Sequence, residues 1–458
     1  MTTRFPRPRQ RATTNGKESG AVVSTESARP NAETPTPGEK AAGTGLAPTD
    51  GPVPGDLRMA AALGPILLAS AVGLLPFTVF STFLVPISET AGSSVAAMGG
   101  LRGLGGLAAL VVGVSLAPLI DRVPKTRAAA AALGLLGVSA AVGAVGEFFA
   151  LAAFCLLVGA ATAILNPALT ASAADRYGDD AASGRAATLV TATQSMTAML
   201  AAPLVALPAV LWGWRGDLVA VAVTAAALGV VFVLRKSEGE QSGQGAGTGP
   251  GYIASFLALA RIPGAMPLIL IGCLRTGAFM GYLSYLAAFY ADRFQLTPGV
   301  FALVWTLSGA SFFVGNLLAG RLANIARPRL RTERLLLLSL LAVLACISGF
   351  YFTGSLPLAL SLTALLGAGH ATVAACVVSL LVRCCGDLRG SALSINAAGM
   401  SLGVFAGAAL GGVGLGLAGY AGTALVFAAL TLAAVAAALV VSARSHPQSA
   451  NGSPPADQ

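Results

Sequence analysis

Arg102, Arg275 and His370 stand inside long apolar runs, where an ionisable side chain is costly and marks a candidate for function. His370 is the one whose ordinary pKa, about 6.5, lets it exchange a proton at physiological pH, which makes it the candidate for proton coupling. Arg275 stays charged and offers a planar fork of donors suited to an anionic or polar solute. Structural alternatives stand beside these readings: a neutral histidine bonded between helices, and a guanidinium bonded to backbone carbonyls. For Arg102 the alternatives are snorkelling to the interface or pairing with Glu89. Every Asp and Glu falls in a tail, a loop or the end of an apolar run, so the interior offers basic groups and no carboxylate.

Neutral candidates for a cavity wall are Phe77, Phe80 and Thr82, then Asn166 with Pro167, then Phe279, Tyr282 and Tyr285. Aromatic faces bind apolar solutes by stacking, although ordinary packing or lipid contact explains the same residue types. A buried amide such as Asn166 seeks partners, and the proline beside it frees a backbone carbonyl. The six cysteines have no CxxC or Cys/His spacing and read as small apolar filler, so no metal and no cofactor is expected. No GxxxxGK[ST] motif occurs, which argues against ATP coupling, and no enzymatic constellation is present.

The elements that must carry these residues follow from hydropathy. Of 458 residues, 55% are hydrophobic and 10% charged, and the mean hydropathy is +0.77. Uncharged runs long enough to cross a roughly 30 Å hydrocarbon core recur along the chain, and lipid forces them into helices. The candidate spans are 59–86, 94–120, 127–146, 149–174, 188–211, 217–235, 265–290, 298–323, 333–353, 356–383, 391–417 and 419–442. Arg275 lies about ten residues into the seventh span and His370 about fourteen into the tenth, which at about 1.5 Å per residue puts both near mid-depth.

Residues 1–57 are rich in Pro, Thr, Ala, Gly and Ser and read as a disordered tail, as do residues 443–458. Residues 237–264 contain GEQSGQGAGTGPG and read as a cytoplasmic linker that divides the helices into a bundle over 58–236 and a second over 265–442. The net charge of +9 is a matter of position rather than of nucleic-acid binding. With both termini cytoplasmic, the inner loops hold Arg122, Lys125, Arg127, Arg176, Arg185, Arg261, Arg327, Arg329, Arg331 and Arg389 among others, while the outer loops hold Arg215 and Arg293. That asymmetry is the positive-inside pattern and predicts a multi-pass protein of the inner (cell) membrane.

The halves repeat. Asp121-Arg122-Val-Pro124-Lys125-Thr-Arg127 follows the second span, and Gly320-Arg-Leu322-Ala323-Asn324 ends the eighth, with Asp121 and Asn324 203 residues apart. Arg185 before the fifth span and Arg389 before the eleventh are 204 residues apart. Two nearly equal offsets indicate a parallel repeat of a six-helix unit. The loop around Asp121, Arg122, Lys125 and Arg127 offers charges that pair with a neighbouring helix in one state and release it in another, beside the plainer role of topogenic charge.

On these residues the sequence resembles the major facilitator superfamily, whose signature between helices two and three runs Gly-x-Leu-Ala-Asp-Arg-x-Gly-Arg-Lys. It is matched at Leu119, Asp121, Arg122 and Lys125, and the second copy keeps Gly320, Leu322 and Ala323 with Asn324 in the acidic position. The resemblance covers about 59–442 and implies an all-α membrane fold: twelve transmembrane helices in two pseudo-symmetric six-helix bundles, with helices one, four, seven and ten around a cavity. The fifth span, Ala198 to Ala206 with Pro203, is similar to the helix-five stretch of drug:proton antiporters, with alanines in place of glycines. Its counterpart in the eleventh span carries Gly403, Gly407 and Gly411, a spacing that also serves close helix packing. Such exporters commonly hold an acid in the first or fourth helix. None stands here, so the coupling role falls to His370.

Three readings follow. The first is a proton-coupled exporter of small amphiphilic molecules or drugs, working by alternating access as a monomer in the bilayer. The second is a permease, possible as an importer, for a small anionic solute. The third is a membrane sensor or lipid-handling protein that transports nothing.

Overall fold

A computed structural model describes residues 56–115, 123–177, 180–234, 252–323 and 332–444, and every regular element among them is a helix. Eleven helices are long and apolar enough to cross a bilayer, and the last of these, Arg389–Ser442, runs to 54 residues. At about 1.5 Å per residue that is more than twice the hydrocarbon thickness. It folds back at Ala418 and Gly419, and Gly419 adopts φ 60°, a conformation that a side chain would strain. The described residues therefore supply twelve segments that can cross a membrane. Gly213, with φ 68°, likewise separates the fifth span from the sixth within Asp180–Leu234. Both breaks fall where the sequence places loops.

Several boundaries differ from the sequence expectation. The first span is four short helices, Asp56–Ala62, Gly64–Val72, Leu75–Thr82 and Leu84–Thr90. Pro65 and Pro76 each stand in the first turn of a new segment, where a missing N–H costs no helical bond. The seventh span extends to Phe294 and the tenth to Cys385. The stretch read as linker contains a further helix, Tyr252–Ala260. Its Leu259 is fully buried against the inner part of the second half, which is why nine residues too short to cross a membrane still hold a fixed place. The remainder of the linker before Tyr252, both tails and the loop residues Asp121, Arg122 and Asn324 lie outside the described residues.

An even number of crossings puts both ends of the bundle on one side, here called the terminal face, and the loops between spans one and two, seven and eight, and eleven and twelve on the far face. The first half has one apolar core built around Phe80, Leu133, Phe154 and Leu165. The second half has two. An aromatic core around Tyr282, Phe289, Phe301 and Phe350 sits toward the far face, and an aliphatic core around Ile271, Leu340, Val373 and Ala434 toward the terminal face.

Apolar burial gives lipid-embedded helices little reason to associate, so backbone proximity through small residues decides which helices touch. A Cβ on Gly159 in the fourth span would fall on the backbone of Gly105 in the second, and one on Gly315 in the eighth would crowd Ala368 in the tenth. These two crossings occupy equivalent places in the two halves. The closest approach joins spans seven and eleven: a Cβ on Gly407 would collide with the backbone of Gly277, and one on Gly403 with the carbonyl of Cys273. Replacing Gly407 with valine is accordingly expected to cost about 1–3 kcal/mol through overpacking and to lower the melting temperature of the purified protein. Gly113→Ala, where a Cβ meets nothing within 4 Å, should leave it unchanged, and equal melting of both variants with wild type would refute the packing argument.

Candidate functional site

Between the two cores of the second half lies a thin polar layer. Arg275 stands one turn beyond Ile271 of the aliphatic core and one turn before Ala278 of the aromatic core; His370 stands likewise between Leu366 and Val373. The sequence brings them together because both spans are long, uninterrupted helices that enter from opposite faces. Arg275 is 4% exposed and His370 1%. The guanidinium donates to the His370 backbone carbonyl at 3.3 Å and to the Thr276 hydroxyl at 2.9 Å. Its Nε and both imidazole nitrogens have no protein partner. No carboxylate side chain among the described residues reaches this layer.

Phe279, one helical turn along from Arg275, forms the wall of the layer. Its ring lies 4.8 Å from the His370 ring and stacks at 5.4 Å on Phe312 of the eighth span. One turn further, Tyr282 shares the Thr363 hydroxyl with Tyr290, at 3.0 and 2.9 Å. Thr363 precedes His370 by seven residues, two helical turns, so it lies on the same face of the tenth span. That spacing was the available signal for Thr363, and the sequence reading missed it. Phe312 carried no such signal, because its helix faces the site only through packing. Arg275, His370, Phe279, Phe312 and Tyr282 thus form one continuous surface of basic and aromatic groups.

The other candidates are distributed elsewhere. Phe80 stacks on Phe154 at 5.9 Å inside the core of the first half. Asn166 accepts from the Gln194 amide at 3.3 Å, joining spans four and five. Arg102 neither snorkels nor pairs with Glu89: it is 8% exposed, and its guanidinium lies 5.8 Å over the Phe77 ring. Trp214 stacks beneath Arg215, whose guanidinium donates to the Val145 carbonyl at 3.1 Å, while Trp212 donates to the buried carboxylate of Asp217 at 2.7 Å. This tie closes the corner at Gly213 and is the one buried carboxylate of the far end. At the terminal face Lys125 pairs with Asp175 at the end of the fourth span, a contact within the first half, and Arg127 is exposed. Gly320 ends the eighth span one turn before Ala323. Pro203 lies within the fifth span, between Ala202 and Ala206, which pack with the aromatic core of the second half.

That last contact belongs to the junction between the halves. Tyr285 in the seventh span donates to the Ala408 carbonyl at 2.6 Å and approaches the Ala96 carbonyl of the first half at 3.5 Å. Gly99, Gly411 and Gly412 leave room for its ring and hydroxyl. At mid-depth Gly103 and Gly106 meet Phe405 and Ser401, and Gly309 meets Met199. Gly113 and Gly184 have free space around them, and Asn316, Leu317 and Leu318 are exposed in succession. The described contacts between the halves thus lie at the far face and at mid-depth.

A family model described as Major Facilitator Superfamily matches residues 66–386. The chain belongs to that superfamily, and it is a multi-pass membrane transporter of small solutes. Among solved structures it is similar to a bacterial homolog of the human lysosomal transporter Spinster in an inward-facing and unoccupied conformation, at TM-score 0.69 and 16% identity, covering 85% of this chain and 97% of that one. The nucleoside transporter NupG is similar at TM-score 0.68 and 14% identity, covering 83% of this chain and 99% of that one. The human organic anion transporter TETRAN is similar at TM-score 0.59 and 18% identity, covering 84% and 100%. No curated protein sequence matches.

Tyr285→Phe keeps the ring and removes the hydroxyl bonds. Only the 3.5 Å approach to Ala96 crosses between the halves, the 2.6 Å bond to Ala408 staying within the second half, so the population open at the far face should rise by less than the roughly fivefold that a full bond of about 1 kcal/mol would give. With the six native cysteines replaced, alkylation of Ala96→Cys by an impermeant maleimide should accelerate to match, and an unchanged rate would remove Tyr285 from the junction.

Proposed function

We propose that the protein is a secondary active exporter of small amphiphilic molecules that carry negative charge, with Arg275 as the anion-recognising group and His370 as the proton-coupling group. The single observation that carries this reading is the Arg275–His370 layer: a guanidinium and an imidazole at mid-depth, buried, with unpartnered nitrogens and without a carboxylate to balance them. A fixed positive charge in low dielectric is costly unless something compensates it, and a bound anion is the natural compensation. The Phe279 and Phe312 stack beside it supplies a face for the apolar body of such a solute.

Transport then runs by rocking of the two halves about the far-face junction, and the coupling ion is the proton. His370, in the same layer as Arg275, is the group whose protonation state couples to occupancy of the site. Outward direction is supported by the likeness of the Pro203 stretch to the helix-five stretch of antiporters. Inner-membrane location with cytoplasmic termini is supported by the loop arginines. An anion importer is the second reading, favoured by the same layer, since the layer binds charge and does not fix direction.

Metabolite profiling of a deletion strain identifies the solute: an anion retained inside supports export, and an anion depleted inside supports import. With that solute in proteoliposomes, Arg275→Ala is expected to abolish flux and Arg275→Lys to retain a small part of it; wild-type flux in the alanine variant sinks the anion reading. His370→Ala is expected to abolish flux driven by a pH gradient while leaving solute exchange without a gradient. Intact pH-driven flux would exclude His370 from coupling.

A further inference from the structure

The far face carries a cavity of about 1000 Å³ whose lining includes neither Arg275 nor His370. One wall comes from the first half, at Thr82 and Glu89; the other comes from the second half, at Asp292, Phe301 and Tyr420. Two carboxylates stand on this lining and no lysine or arginine does. Tyr420 is fixed by stacking on Tyr351 at 5.9 Å and by an edge contact with Phe289 at 5.2 Å, so its ring is pre-oriented. Thr82 is 2% exposed, lines the cavity, and its hydroxyl has no hydrogen-bond partner, although a helical threonine ordinarily bonds back to its own turn. An orphaned hydroxyl against a cavity that holds a drug-sized molecule is a polar group waiting for a ligand.

From this geometry we infer that the far-face vestibule is a second ligand site, for an amphipathic cation whose charge sits between Glu89 and Asp292 and whose apolar body lies against Phe301 and Tyr420. The carboxylates supply the charge complement, and the aromatic rings supply both apolar surface and cation attraction. The ligand differs in sign from the solute proposed for the mid-depth layer, so the two sites are distinct and the inference stands if the anion reading fails. Because the walls belong to different halves, the site is complete only while the far face is closed. A bound cation therefore favours that state and slows turnover without competing with the solute.

Tetraphenylphosphonium and tetraphenylborate share a shape and differ in charge, which makes them suitable probes. Applied separately to the full-length protein in lipid nanodiscs, tetraphenylphosphonium is expected to bind saturably. The double variant Glu89→Gln and Asp292→Asn, at exposed positions that leave folding intact, should weaken that binding at least tenfold, and tetraphenylborate should show no corresponding loss. Absence of saturable phosphonium binding, undiminished binding in the double variant, or an equal loss for tetraphenylborate overturns the inference.

Discussion

Helices in lipid gain little from burying apolar surface against each other, so what holds this bundle together is how closely their backbones approach. The glycines of spans seven and eleven show the consequence most directly. Gly277 and Gly407 leave no room for a single methyl group between the two helices. The same device joins spans two and four, and spans eight and ten, inside each half. Between the halves the described glycine contacts run from the far face to mid-depth. A bundle packed tightly within its halves and only partly across them has one soft boundary, and that boundary is where a rocking motion is cheapest.

The polar layer depends on that frame. Span seven is pinned by glycine to span eleven on one side, which turns Arg275, Phe279 and Tyr282, spaced at i, i+4 and i+7, toward spans eight to ten on the other. Had the helix been free to rotate, a guanidinium would turn toward water. Held in place, it satisfies two of its donors on Thr276 and the His370 carbonyl and keeps Nε unpaired. Rigid packing thus maintains an unbalanced charge that a looser bundle would quench.

Much of this was legible in the chain. Long apolar runs fix the crossings because lipid admits no other backbone arrangement, and glycines at the two sharp corners mark where crossings reverse. Arg275 and His370 were legible as candidates because charge at depth is conspicuous. Their partnership was not, since it depends on the relative rotation of two helices ninety-five residues apart in sequence. Arg102 illustrates the same gap: its depth suggests snorkelling or Glu89, and only the fold brings Phe77 beneath it. Tyr282 and Tyr285 look alike in sequence, yet one belongs to the Thr363 cluster and the other to the junction between halves. Helix Tyr252–Ala260 was hidden because a short apolar stretch next to a glycine-rich segment resembles linker, and its place is set by tertiary burial of Leu259.

Charge is sorted by depth along the molecule, and the sorting has a mechanical consequence. The mid-depth layer is basic, whereas the far-face vestibule is acidic. Were the solute the anion proposed above, its step from the layer toward the far face would run from an attractive field into a repulsive one, so its return would be disfavoured even without a change in the layer itself. An anion arriving from the far face meets the repulsive rim first. The same distribution that opposes anions at the rim gathers cations there, and a cation resting between Glu89 and Asp292 weakens the repulsion while bracing the two halves together. Release of the anion and occupancy of the vestibule are therefore linked through one electrostatic field and one mechanical junction, with Tyr285 at the point where the two meet.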